Sequence, residues 1–269
     1  VRKPGSSITL ALVLSSLLFV AGCAGNGGGP KRSADGELAT QSDQTTAQKR
    51  ASINLQLAAG YFQRGENSVA LDKIKAALAA DSENAGAYAL RGLIYMQMNE
   101  THLADENFQH ALRIDGGNGG YNNSYGWFLC NNGRPRDSIA YFETALKDRN
   151  YESAVLAIDN EGICTEKLGD MAGAEKLYKR AFNTDPSNLR VTENLARFYY
   201  QNKNYDQAKF YMGRLVKANV TDAGVLWLGI RIAHKGGDRI TEGVLATELQ
   251  RYHPDSVQYA SYQREAFDE

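Results

Sequence analysis

The sequence predicts an all-α protein, a right-handed superhelical solenoid of six helix-turn-helix repeats, and three observations predict it. The first is a period of 34 residues: Ala58, Tyr61, Ala70, Ile74 and Ala77 return as Gly92, Tyr95, Ala104, Phe108 and Ala111. The second is an alternation of sizes within each period. Small residues recur at the eighth, twentieth and twenty-seventh positions and large ones at the fourth, eleventh and twenty-fourth, so that paired helices approach closely and large side chains fill the gaps between neighbours. The third is a turn signal at one fixed position, Gly65, Gly133, Gly169 and Gly237, where a left-handed helix C-cap favours glycine.

A 34-residue helix-turn-helix period is that of the tetratricopeptide repeat. In register, the repeats are 51–84, 85–118, 119–152, 155–188, 189–222 and 223–256. The third carries Gly126, Leu129, Ser138, Phe142 and Ala145. The fourth carries Gly162, Ala174, Tyr178 and Ala181, after a step longer by two residues near residues 150–153. Repeats five and six are less regular. Lys203 stands at the turn of the fifth and Glu242 at a normally small position of the sixth, while residues 257–269 are expected to cap the end.

Upstream of the repeats the composition changes twice. Arg2 and Lys3 precede an apolar run, residues 8–20, followed by small residues, the pattern of a secretory signal at 1–22. A membrane-spanning anchor needs about 20 apolar residues, and this run stops short of that. It ends in LFVAGC, which resembles the lipobox of bacterial lipoproteins. That resemblance implies cleavage before Cys23, acylation of Cys23, and, with Ala24 rather than Asp following, sorting to the outer membrane facing the periplasm. Residues 23–50 then read as the lipidated cysteine and a flexible tether, because residues 24–47 hold almost no large apolar side chains. Such a coil spans about 27 Å on average.

Charge and motifs exclude several functions. A formal net charge of -1 offers no global attraction to nucleic acid. The glycine runs at 27–29 and 116–120 lack the G-x-x-x-x-G-K-[ST] pattern, so no nucleotide or other cofactor is implied. His102, His110, His234 and His253 are scattered, with no pair at metal-ligand spacing and no base placed beside Cys130. The expectation is a protein that is not an enzyme and holds no metal.

Cys130 and Cys164 lie beside core positions of the first helices of repeats three and four. With Cys23 assigned to lipid, they form an even pair in an oxidising compartment. A Cys130–Cys164 disulfide is the expectation; two buried free thiols packed as small apolar residues are the alternative.

Function in such a solenoid belongs to its surface. In each first helix the second, fifth, ninth and twelfth positions share one face, which by resemblance to tetratricopeptide proteins lines the concave groove. In repeats one to three it carries Leu55, Phe62, Leu93, Met96 and Trp127 with small Ala59 and Ala89. In repeats four to six it turns polar, with Asp159, Glu166, Arg190, Glu193, Arg197 and Arg231. The apolar half is a candidate site for an apolar or amphipathic peptide; the alternative is that these side chains thicken the core.

Taken together, the lipobox, the tether and two segments resemble a known family. QLAAGYFQRGENSVALDKIKAALAADSENAGAYALRGLIYMQMNETHLADENFQHALRID and YNNSYGWFLCNNGRPRDSIAYFETAL look like the type IV pilus biogenesis lipoproteins of the PilF/PilW kind. The resemblance implies a pilotin that binds secretin subunits, brings them to the outer membrane and promotes their multimerisation. No catalytic residues carry over. A general periplasmic scaffold lipoprotein, serving outer-membrane protein assembly or cell-wall hydrolases, is the alternative.

Overall fold

The computed structural model describes residues 44–268. The expected signal at 1–22, the lipidation site Cys23 and most of the tether lie outside the described residues. Thirteen helices follow one another: α1 (Thr46–Gln63), α2 (Asn67–Ala80), α3 (Ala85–Gln97), α4 (Thr101–Ile114), α5 (Gly119–Asn131), α6 (Pro135–Ala145), α7 (Ala154–Lys167), α8 (Met171–Thr184), α9 (Leu189–Gln201), α10 (Tyr205–Lys217), α11 (Ala223–Lys235), α12 (Arg239–Tyr252) and α13 (Val257–Gln263). The first twelve form six antiparallel pairs, a tetratricopeptide solenoid, and α13 packs on α11 and α12.

One boundary needs correcting. The tether does not run to residue 50, because α1 starts at Thr46 and its last stretch is helical. Thr45 caps the helix reciprocally with Gln48: the Gln48 N–H donates to Thr45 Oγ1 at 3.2 Å and the Thr45 N–H donates to Gln48 Oε1 at 3.0 Å. Two of the orphan donors of the first turn are thereby satisfied. The T-x-x-Q signal outweighs the polar composition around it.

Within each pair the size alternation sets how closely the helices pack. A Cβ on Gly126 would lie 2.9 Å from the Phe142 ring, and one on Gly92 would lie 2.9 Å from Phe108. Repeat six keeps this device one residue out of register: a Cβ on Gly229 would lie 2.8 Å from Leu245. Ile230 occupies the usually small eighth position and Ala246 the usually large twenty-fourth, and both are buried in one cluster with Leu226, Leu245 and Leu249. Asn99 and Lys203 take the turn position with φ of 60° and 59°, where the other repeats use glycine.

The longer step between repeats three and four is folded back as packing material. Asp148 accepts a hydrogen bond from the Gly119 N–H at 2.8 Å. Tyr151 lies so close to Gly119 that an added Cβ would sit 2.5 Å from it. Burial pushes the Tyr151 phenol up to about 12. The insertion thus braces the start of α5.

Candidate functional site

The odd-numbered helices form the inner layer of the solenoid. Successive members touch directly, α1 with α3, α3 with α5, α5 with α7, and α9 with α11. The side chains that sequence reasoning assigned to the groove are therefore carried on one continuous wall.

In the first three repeats that wall is apolar and rests on the core. Leu55 and Phe62 are half-buried against the cluster of Ala58, Ile74, Ala87 and Ile94. Leu93 and Met96 pack on Phe108, Tyr125, Phe128 and Leu129. Each of these four side chains spends one side on the core and keeps the other toward the groove. The two readings of the sequence, groove lining and core thickening, both apply to them.

Trp127 marks the boundary. It packs on a buried cluster of Cys130, Phe142 and Cys164. Cys130 and Cys164 are joined as a disulfide between α5 and α7, with Cα atoms 5.8 Å apart. The Trp127 ring is approached from the polar half by Lys167, with Nζ 5.8 Å from its centroid, and by Arg190, with Cζ at 6.0 Å. Both cations are exposed, and exposed cation–π pairs of this kind contribute about 0.5–1 kcal/mol.

Beyond Trp127 the wall is cross-linked by polar side chains. Asn160 Nδ2 donates to Asn123 Oδ1 at 2.9 Å, and Arg190 donates to Asn160 Oδ1 at 2.6 Å. Asp159 is fully buried. It pairs with Arg190 at 3.1 Å and accepts two hydrogen bonds from Asn194 at 2.9 Å. Burial pushes the Asp159 carboxyl up, against the pull of Asn194 and Arg190 in the opposite direction. About two turns further along α7, Tyr178 donates to Glu166 at 2.6 Å, and Arg197 pairs with Glu166 at 3.3 Å. Asp159, expected to face the groove, is instead an internal staple. Its periodicity places it on the inner wall, but its short side chain is covered by α9.

An open cleft of about 610 Å³ runs along this polar wall, lined by Ile163, Glu166, Lys167, Asn194 and Arg197. Glu193 is half-buried, and desolvation holds its carboxyl above the ordinary value. Arg231 lies over Tyr200 and Trp227, with Cζ at 5.1 and 5.6 Å from the ring centroids. Tyr200, Trp227 and His234 were missed by the reading of the sequence. They stand at the twelfth, fifth and twelfth groove positions of repeats five and six, so the rule that found Trp127 also contains them.

The geometry is that of a protein-binding solenoid, and comparison with known proteins agrees. The tetratricopeptide repeat family matches residues 85–118 and, separately, residues 167–226. The type IV pilus assembly protein PilF of Pseudomonas aeruginosa is 28% identical over 211 residues, 78% of this chain and 84% of that protein. The crystal structure of PilW, a widely conserved type IV pilus biogenesis factor, superposes with a TM-score of 0.73 at 31% identity, over 84% of this chain and 100% of that one. The chain belongs to the PilF/PilW family of type IV pilus biogenesis proteins. The structure of Pseudomonas aeruginosa PilF agrees, with a TM-score of 0.71 at 27% identity over 82% of this chain and 100% of that one. For a PilF/PilW protein the repeat fold indicates a non-catalytic scaffold that acts in pilus biogenesis by binding other proteins.

Proposed function

We propose that the chain is a pilotin: an outer-membrane lipoprotein, anchored through Cys23 and facing the periplasm, that binds secretin subunits and promotes their localisation and multimerisation. Support comes from kinship with PilF and PilW together with the lipobox at the end of the apolar run. The single structural observation that carries the binding role is the half-open apolar wall of α1, α3 and α5, with Leu55, Phe62, Leu93 and Met96 ending at Trp127. These side chains are anchored on one side by the core, so a partner segment meets a preorganised surface and loses little entropy in fixing it.

An amphipathic segment of a secretin subunit lying along this wall would cover the remaining half of each ring and aliphatic chain. Trp127, held by the disulfide behind it and cations beside it, is the expected hot spot. Replacing Trp127 by Ala is expected to weaken secretin binding at least tenfold, about 1.4 kcal/mol, with the circular dichroism of the folded chain unchanged. Calorimetry with the isolated subunit measures it; equal affinities would remove Trp127 from the site.

The wider test is the amount and membrane location of heat- and detergent-resistant secretin multimers in cells with and without the protein. Loss of multimers, or subunits left at the inner membrane, supports the pilotin reading. Normal multimers, with barrel-assembly components or cell-wall hydrolases recovered instead, would transfer the same groove to a general periplasmic scaffold.

A further inference from the structure

The concave face of repeats five and six already holds a peptide segment, and it is the chain's own. After α13 the backbone reverses at Glu265, whose φ of 54° lies in the left-handed region that side chains other than glycine rarely adopt. The Glu265 N–H donates to the Tyr262 carbonyl at 2.9 Å and the Ala266 N–H to the Ser261 carbonyl at 3.0 Å. This turn sends Phe267 back onto α11 rather than onward into solvent.

Three kinds of contact receive it there. The Phe267 ring is only 8% exposed and stacks on His234 with centroids 3.8 Å apart, with Trp227 at 5.8 Å and Tyr262 edge-on at 6.2 Å. Its carbonyl accepts a hydrogen bond from the Tyr200 hydroxyl at 3.3 Å. The next carboxylate, Asp268, pairs with Lys235 while its side chain stays 83% exposed. The ring joins the buried cluster of Leu226, Trp227, Ile230 and Leu245, but backbone and following charge are each read by a further group, as in peptide recognition. The register places Tyr200, Trp227 and His234 on the groove positions of the solenoid, so the tail lies where an external peptide would lie.

We propose that this face is a second peptide-recognition site, selective for an aromatic residue followed by an acidic one. Phe267-Asp268 is its resident intramolecular ligand, and a partner segment of the same chemistry binds by displacing it. The tail is suited to displacement. It lies beyond α13, outside every repeat, and it is held by one buried ring, one long hydrogen bond and one exposed ion pair. Tethering keeps it at an effective concentration in the millimolar range, so a free peptide competes only when its own contacts are better or the tail is weakened. The proposal is independent of the secretin reading, whose wall lies in repeats one to three.

The test uses a fluorescent peptide with the sequence of residues 262–269, YQREAFDE, titrated by anisotropy into the full chain and into Phe267→Ala and Asp268→Arg variants. The peptide is expected to bind the Phe267→Ala chain at least tenfold more tightly than the intact one, with Asp268→Arg between them. A peptide carrying Ala in place of its Phe is expected not to bind any of the three. Absence of binding to a variant whose circular dichroism is native would reduce the tail to a structural cap and overturn the proposal. So would equal affinity for the intact chain and the variants, since the peptide would then be bound elsewhere. Because Asp268 is exposed, its variant keeps the comparison decisive even if removal of the Phe267 ring loosens repeat six.

Discussion

The inner wall of repeats one to three and that of repeats four to six are built on the same helix positions but close in different ways. In the first half, Leu55, Phe62, Leu93 and Met96 lean on the core beneath them, and successive helices meet through apolar contacts. From the seam into the second half, α5, α7 and α9 are joined by a ladder of polar side chains, Asn123, Asn160, Arg190, Asp159 and Asn194, and the far end is filled by Phe267. The difference teaches that a repeat solenoid can divide labour without changing fold. Non-directional apolar contact leaves one half with an adaptable surface, whereas charge-assisted hydrogen bonds fix the other half in register.

The seam between the halves is where the comparison breaks most easily. The disulfide closes a loop with a sequence separation of 34 across the junction that also carries the insertion. Exchanging both Cys130 and Cys164 for Ser is expected to lower stability by about 3–4 kcal/mol through the freed entropy of the unfolded chain. Urea unfolding should show this as an earlier midpoint. If repeats one to three and four to six are separately stable, the curve should also lose its single transition. An unchanged midpoint would show that the apolar packing of Phe142 and Trp127 alone holds the seam.

A smaller effect separates the polar ladder from mere surface charge. Asp159→Ala removes the acceptor for Arg190 and Asn194 and is expected to cost about 2 kcal/mol, the usual size for a hydrogen-bonded charge. Asp159→Asn, which keeps the shape and is free of the penalty that burial places on the carboxylate, should cost much less. Equal losses for the two would show that the charge, not the hydrogen-bonding shape, closes the second half.

The smallest expected change has the opposite sign. Glu161 stands at the seventh position of repeat four, where repeats three and five bury Tyr125 and Leu195. It is 9% exposed, and its Oε2 has no hydrogen-bond partner among the described residues. Burial holds its carboxyl above the usual 4.5. Both folded and unfolded chains are protonated well below that value, so the residue costs nothing there. As pH rises, the unfolded chain ionises first and native stability falls. Glu161→Gln is therefore expected to raise stability by about 1 kcal/mol at neutral pH and by nothing near pH 3. Thermal melts at the two pH values measure it; a gain of the same size at both would show that ionisation is not the cause.

Much of this was legible in the sequence because periodicity maps directly onto helix faces. The repeat register identified Gly126 and Phe142 as packing positions, the turn glycines and the proximity of Cys130 to Cys164. It also put Trp127 on the inner wall. It failed where a side chain's length or a distant partner decides exposure. Asp159 shares the groove period with Glu166 and Arg190, yet it is buried because Arg190 and Asn194 reach over it from the next repeat. The start of α1 was misjudged because composition was weighed above the Thr45–Gln48 cap.

The sequence by itself determined the solenoid: a 34-residue recurrence of small and large residues leaves each helix pair with an apolar face that only a neighbour of the same kind can cover. What the tertiary structure alone decided is how the inner wall is used. Whether a carboxylate staples two helices or faces a ligand, and whether Phe267 ends in solvent or between Tyr200 and Trp227, depends on residues 30 to 70 positions apart meeting in space. Local periodicity carries no information about such pairs, because the contacts that fix them exist only after the repeats have stacked.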